Sequence, residues 1–320
     1  MVFKLKGNDV IREQDIEVTE SLIGIYGYNN SGKTTILKEL DKVIDEENIK
    51  CIVNDGRYIR SLFIPTNRVI VRQAHTSSTP IKDIEEFLAY KKDSYNEFDL
   101  HLKVIRENML GNSAVKQVIK NAILYMFGED YEFDFDRRQS DGVENIINIY
   151  CSIIWLFTWD KDIEDIKYDR LKQLLCDTSA VVMIDEIEAF LHVYVQSRML
   201  QKFKEDFSKC SFVFTTHSPL LLSRYYNIRK FQLDNGILNE INADLYYKDL
   251  DNIYEVYFNV EEFPKEAGAI INRLGDYICG EEYNRDVIVK DLEILNEQYA
   301  NVKAKYPGLV AKAEVKLGVE

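Results

Sequence analysis

The chain has no run of about 18 apolar residues, the length that a membrane-spanning helix needs. Its first residues, MVFKLKGNDVIREQ, are charged where a secretory signal requires an apolar core. These absences predict a soluble, cytoplasmic protein with no membrane partner. No CxxC and no Cys/His cluster occurs: Cys51, Cys151, Cys176, Cys210 and Cys279 lie far apart. That excludes a zinc site built on them and predicts reduced, mostly buried thiols. A basic excess is missing as well. The balance of 54 acidic to 40 basic residues, a net charge of −14, is the reverse of the footprint left by phosphate neutralisation. It argues against this chain gripping nucleic acid alone and leaves open a local basic groove, or contact with nucleic acid through a complex. Internal repeats, low-complexity stretches and sustained heptads are also lacking, and the last absence excludes a long coiled-coil arm.

What is present is a chain of 320 residues, 46% hydrophobic, enough for one large or two modest domains with a buried core. SLIGIYGYNN reads as an apolar strand running into a glycine-rich turn and then a helix from Lys33 to about Lys42. IKCIVND and RSLFIPTNRVIVRQ read as two further strands, and AHTSSTP as a loop. From Ile81 to about Tyr168 the apolar residues recur three or four apart, the pattern of helices. AVVMIDE and CSFVFTTH are strands flanking a helix from about Ala189 to Phe207, a βαβ arrangement suited to a parallel sheet. FQLDNGILNEI predicts a hairpin at Asn235-Gly236, and a charged helix runs from about Asn284 to Lys305. The expected organisation is an α/β core from 1–80 and 175–240, an inserted helical lobe at 81–174, and a mostly helical C-terminal extension at 241–320.

Three segments carry chemistry. Gly27-Tyr28-Asn29-Asn30-Ser31-Gly32-Lys33-Thr34 matches GxxxxGK[ST] and stands between an apolar strand and a helix, where a phosphate-binding loop must be. Its backbone N–H groups and the helix N-terminus would surround phosphate oxygens, Lys33 would reach the β- and γ-phosphates of ATP, and Thr34 would offer its hydroxyl to Mg²⁺. The strand Val181-Val182-Met183-Ile184 ends in Asp185 and Glu186. Asp185 is expected to help hold Mg²⁺, and Glu186 to polarise the attacking water. A third strand ends in Thr215-Thr216-His217-Ser218-Pro219 and would deliver His217 to the same sheet edge, in reach of a γ-phosphate.

In this order the segments resemble the ABC-type ATPases of the RecF/SMC and OLD branch. Asn29, Ser31, Gly32, Lys33, Thr34 and Thr35 match the branch's Walker A, Asp185 and Glu186 its Walker B, and His217 its switch histidine. The resemblance implies a head domain with a mainly parallel central sheet that sandwiches two ATP molecules between two subunits, each site closed by a signature segment of the opposite subunit. LSGGQ is absent. In its place Arg137-Arg138-Gln139-Ser140-Asp141-Gly142-Val143-Glu144 precedes a strongly helical stretch. There Ser140 and Gly142 could meet a γ-phosphate in trans; alternatively Ser140 or Asp141 caps the helix, Asp141 with Glu144 as a capping box. Ile187-Glu188-Ala189-Phe190-Leu191-His192 is similar to the DEPExxLHP segment of the OLD branch without its prolines, which would put His192 in the D-loop; a buried structural histidine is the alternative. Arg68 or Gln73 would occupy the Q-loop position.

The residues after His217 hold no strand-ended acid pair suited to two metals, so an appended nuclease of the TOPRIM type is not expected. The chain looks similar to the ATPases of Septu and retron anti-phage systems, in which an ATPase pairs with a separate effector. That resemblance implies an ATP-hydrolysing enzyme that forms a dimer or a higher even-numbered assembly and regulates an effector such as a nuclease. The alternative is a RecF-like ATPase acting in DNA repair or at DNA ends.

Overall fold

A computed structural model describes residues 1–18, 22–53, 59–66, 102, 104–225, 227–241, 265–280, 283–299 and 306–318. The chain divides into two units, Met1–Lys248 and Asp249–Glu320.

In the first unit β1 (Val2–Leu5) and β2 (Gln14–Glu17) form an antiparallel pair. The central sheet contains β3 (Leu22–Tyr26), β4 (Arg60–Ile64), β5 (Ala180–Ile184), β6 (Cys210–Thr216), β7 (Arg229–Asp234) and β8 (Ile237–Glu240), in the order β4-β5-β6-β3-β7-β8. All neighbours are parallel except β7 and β8. That pair is the expected hairpin: Asn235 at φ 48° and Gly236 at φ 77° supply the two left-handed residues that a tight two-residue turn demands.

β3 and β5 are buried at every position, because the parallel sheet is covered on both faces. One face packs through Ile23, Ile25 and Val181 on Ile36, Leu37 and Leu40 of helix α1 (Lys33–Val53). The other, through Leu62, Val182 and Phe214, shares a single hydrophobic cluster with α2 (Ser113–Phe127), α3 (Asp141–Thr158), α4 (Tyr168–Asp177) and α5 (Val193–Asp206). The helices of the 81–174 stretch that are described are thus part of the sheet's own core. Apolar almost all round, α3 is buried almost throughout, as a core helix is. Asn112 starts α2 by accepting from Ala114 N and Val115 N, and its amide donates to Ile163 O at 2.6 Å.

Two expectations are corrected here. The described residues of IKCIVND, 49–53, are not a strand: α1 runs past Lys42 to Val53. Asn48, buried on this helix, donates to Ile59 O at 2.8 Å and accepts from Ile59 N at 2.6 Å, so helix and β4 are stitched together where a strand was expected. Of the four thiols whose surroundings are described, Cys151 and Cys210 are buried as expected, Cys176 is half-buried and Cys279 is exposed, against expectation. Burial pushes Cys151 and Cys210 up to about 12.

The second unit holds α7 (Lys265–Cys279), α8 (Arg285–Glu297) and α9 (Pro307–Leu317); the short α6 (Pro219–Ser223) belongs to the first unit. Ala267, Ile270, Leu274, Ile288, Leu292 and Val310 make a separate core. Asn284 caps α8, and a two-pronged Arg273–Asp291 pair at 2.8 and 2.7 Å ties α7 to α8. Among the described residues no helix is long and apolar enough to cross a membrane.

Candidate nucleotide site

The loop from Gly27 to Gly32 joins the end of β3 to the start of α1. Asn30 at φ 63° and Gly32 at φ 97° take left-handed conformations that curl the backbone around a concavity. Gly27 is required for close approach, since a Cβ there would lie 2.7 Å from Leu233 O and 2.9 Å from Ser31 Oγ. The first N–H groups of α1, from Lys33, Thr34 and Thr35, have no acceptor within the helix, and no acid lies in its first turn. Lys33, 7% exposed, folds back and donates to Gly27 O and Tyr28 O, both at 2.9 Å. Burial holds its pKa below the usual lysine value, against the pull of Asp185, Glu186 and Glu188. Ser31 Oγ is enclosed and has no hydrogen-bond partner. A buried hydroxyl without a partner, beside helix-terminal N–H groups, is what a phosphate oxygen would satisfy.

β5 brings Asp185 to the same sheet edge, where three threonine hydroxyls converge on it. Thr34 Oγ1 donates to Oδ2 at 2.7 Å, Thr66 Oγ1 to Oδ2 at 2.9 Å, and Thr215 Oγ1 to Oδ1 at 2.6 Å. Thr215 also accepts from Glu186 N at 2.7 Å. Among the described residues no group of three or more His, Cys, Asp or Glu forms a metal cage. A hydroxyl and a carboxylate side by side are hard oxygen donors that fit Mg²⁺, an ion that keeps waters and phosphate oxygens as its remaining ligands.

After Asp185 the chain makes a tight turn in which Glu186 (φ 43°) and Phe190 (φ 65°) are left-handed. Such strained non-glycine residues persist where surrounding contacts hold them. Here Ile187 N donates to Thr215 O at 3.1 Å, and Glu188 Oε1 accepts from His217 N at 2.5 Å. Burial raises the Glu188 pKa, while the His217 N–H and the Thr216 hydroxyl pull it down.

The N-terminus of α3 leans on this turn. Asn145 Nδ2 donates to Ala189 O at 2.7 Å, and a Cβ on Gly142 would stand 2.7 Å from Phe190 O. Ser140 is the exposed N-cap residue, but its side chain makes no capping hydrogen bond. The Asp141–Glu144 capping box does not form: Ser140 is the N-cap residue, Asp141 is already helical, and Glu144 pairs with Arg106. His192 is an exposed N-cap residue of α5 whose Nδ1 accepts from Tyr194 N at 3.3 Å, so it is not the buried histidine of the alternative reading. Arg68 and Gln73 lie outside the described residues.

Thus Gly27, Asn29, Asn30, Ser31, Gly32, Lys33, Thr34 and Thr35 form one loop and helix start, linked to Asp185 through Thr34 and from there to Glu186 and His217 through the ends of β5 and β6. Gly142 abuts Phe190 of the Glu186–Phe190 turn, and Ser140 is the N-cap of the same helix. Sequence reasoning missed Thr66, Thr215 and Glu188. Thr66 had a visible signal, a hydroxyl directly after a strand end and Pro65; Thr215 inside an apolar strand had none beyond its polarity.

Comparison with known proteins finds that residues 171–223, from α4 to α6, match the model of the family described as "AAA domain, putative AbiEii toxin, Type IV TA system". The chain is 23% identical over 176 residues to the "Retron Ec83 probable ATPase" of Escherichia coli, a match covering 48% of this chain and 32% of that protein. It is 29% identical over 163 residues to the "Septu protein PtuA" of Bacillus mycoides (strain KBAB4), covering 45% and 22% respectively. The matched stretches are therefore about a third and a fifth of those relatives' lengths. Among solved structures, "Dimeric Structure of MJ0796, a Bacterial ABC Transporter Cassette" aligns at 10% identity and a TM-score of 0.41, covering 76% of this chain and 97% of that one.

Proposed function

We propose that this chain binds Mg·ATP and hydrolyses it to ADP and phosphate, a reading supported by the match of residues 171–223 to an AAA domain family and by the similarity to the retron ATPase and the Septu protein. The observation that carries the reading is the convergence of Thr34 and Asp185 at 2.7 Å, beside a glycine loop holding a buried lysine and an unpartnered hydroxyl.

Phosphate oxygens would be received by the N–H groups at the start of α1 and by Ser31, with Lys33 leaving the carbonyls of Gly27 and Tyr28 for the β- and γ-phosphates. Mg²⁺ arriving with ATP would be held by Thr34 and Asp185, where it neutralises charge on the phosphates. Water attacks the γ-phosphorus as the bond to the bridging oxygen breaks, Glu186 takes the water's proton, and ADP leaves with the bond's electron pair. The Glu186 backbone is oriented for this by Thr215. His217 would donate to the γ-phosphate and distinguish ATP from ADP. In a dimer around two ATP molecules, Ser140 and Gly142 would close the partner's site; the exposed Ser140 hydroxyl, unused in its own cap, supports that assignment. Such an assembly would convert nucleotide state into control of a separate effector, for which a nuclease is the favoured class.

Lys33→Ala and Glu186→Gln test this. Lys33→Ala should abolish binding of a fluorescent ATP analogue; Glu186→Gln should bind it and lose turnover. An unchanged affinity in the first, or wild-type hydrolysis in the second, would overturn the assignment. Purification with and without the product of an adjacent gene tests the effector: a stable complex whose activity follows the nucleotide is expected, and DNA-stimulated hydrolysis without any partner would point to DNA ends instead.

A further inference from the structure

Of the acids in the Asp185-Glu186-Ile187-Glu188 run, the last has no part in the hydrolysis described above, yet it is enclosed beside it. Its Oε1 accepts from His217 N at 2.5 Å. Beside it, Thr216 Oγ1 accepts from Ser218 N at 2.9 Å. The carboxylate therefore holds the backbone of His217, directly after the end of β6. Oε2 is buried and has no hydrogen-bond partner. A buried, half-satisfied carboxylate is costly, and this one is kept while it holds the His217 N–H.

We infer that Glu188 is a positioning residue for His217, holding the end of β6 so that the imidazole stands at the phosphate side of the site. The inference rests on the reading of His217 as the γ-phosphate contact. The stitching is continuous: Glu186 N to Thr215 Oγ1, Ile187 N to Thr215 O, and His217 N to Glu188 Oε1. Three successive residues of the turn thus register against the last residues of β6. Only the Glu188 rung reaches the histidine itself. The turn also carries Ala189, whose carbonyl is held by Asn145 of α3. Removing the Glu188 rung leaves the hydrogen bonds of Lys33 and Asp185 in place and frees the peptide that aims His217.

The test compares Glu188→Ala, Glu188→Asp and Glu188→Gln in the full chain, alone and with His217→Ala, by equilibrium binding of Mg·ATP and by steady-state hydrolysis. Glu188→Ala should lower kcat about 10- to 100-fold, the usual consequence of losing an orienting partner, with ATP affinity within about twofold of wild type. Glu188→Asp, which withdraws the carboxylate by one methylene, should show the same loss and serves if the alanine variant does not fold. Glu188→Gln, which retains the acceptor oxygen, should recover most of the activity. Glu188→Ala added to His217→Ala should cost less than about a further twofold, because both act through one imidazole. Wild-type turnover in Glu188→Ala or Glu188→Asp, with His217→Ala impaired, would overturn the inference and leave the histidine reading standing; so would losses that multiply as independent lesions. Wild-type turnover in His217→Ala would remove the histidine reading itself, and the role of Glu188 with it.

Discussion

Replacing Thr215 by valine keeps the side chain's shape and removes one oxygen. That oxygen is fully buried and holds two partners, donating to Asp185 Oδ1 at 2.6 Å and accepting from Glu186 N at 2.7 Å. Loss of a hydrogen bond to a charged group costs about 1.5–3 kcal/mol, and a buried N–H deprived of its acceptor about 1–3 kcal/mol. The two share one atom, so they do not add in full, and about 3 kcal/mol is the working figure. For a unit of this size, each kcal/mol moves the melting temperature by about 2–4 °C, so Thr215→Val should melt about 6–12 °C below wild type. Thr215→Ser retains the hydroxyl and loses one methyl, for about 1 kcal/mol. Both variants would be followed by circular dichroism melts, with hydrolysis measured alongside; Thr215→Val should also lose turnover, because the Glu186 backbone is no longer held. A valine variant melting within about 2 °C of wild type, or a serine variant less stable than the valine one, would refute the reasoning.

Ser140→Arg should leave the melting temperature nearly unchanged, since the Ser140 side chain makes no cap bond and exposed substitutions cost under about 0.5 kcal/mol, while ATP-driven dimerisation and hydrolysis are lost. Mixing it with Lys33→Ala subunits should restore part of the hydrolysis, because one site of the mixed dimer carries neither lesion; no recovery in a demonstrated mixed dimer would move Ser140 out of the trans role. Alkylation of the native protein at pH 8, mapped by mass spectrometry, should modify exposed Cys279 readily and spare Cys151 and Cys210, whose thiols burial keeps protonated. Equal labelling of all three would contradict their burial.

The nucleotide loop was legible because its geometry is local: a buried strand, glycines at the turn and a helix start are adjacent in sequence, and their conformations follow from short-range sterics. The Asn235-Gly236 hairpin was legible for the same reason. IKCIVND misled because its β-branched residues favour a strand in isolation, whereas an already nucleated helix propagates cheaply and Asn48 anchors it to β4. The signature segment was read as a choice between a phosphate contact and a capping box. The box is absent because the helix starts with Ser140 as its N-cap, and Glu144 is engaged by Arg106, 38 residues away in sequence.

The sequence by itself determined which strands are buried on both faces, where the phosphate loop lies, and which acids end β5, since each depends on neighbours along the chain. Only the tertiary structure decided what surrounds Asp185. The parallel order β4-β5-β6-β3 sets four strand ends along one edge. It brings Thr34, Thr66 and Thr215, which are 151, 119 and 30 residues away in sequence, within hydrogen-bond distance of one carboxylate. It also presses Glu188 against the backbone of His217. No periodicity encodes such a meeting, because a hydrogen bond depends on distances of tenths of an ångström, and these are fixed by sheet register and by the packing of helices on both faces.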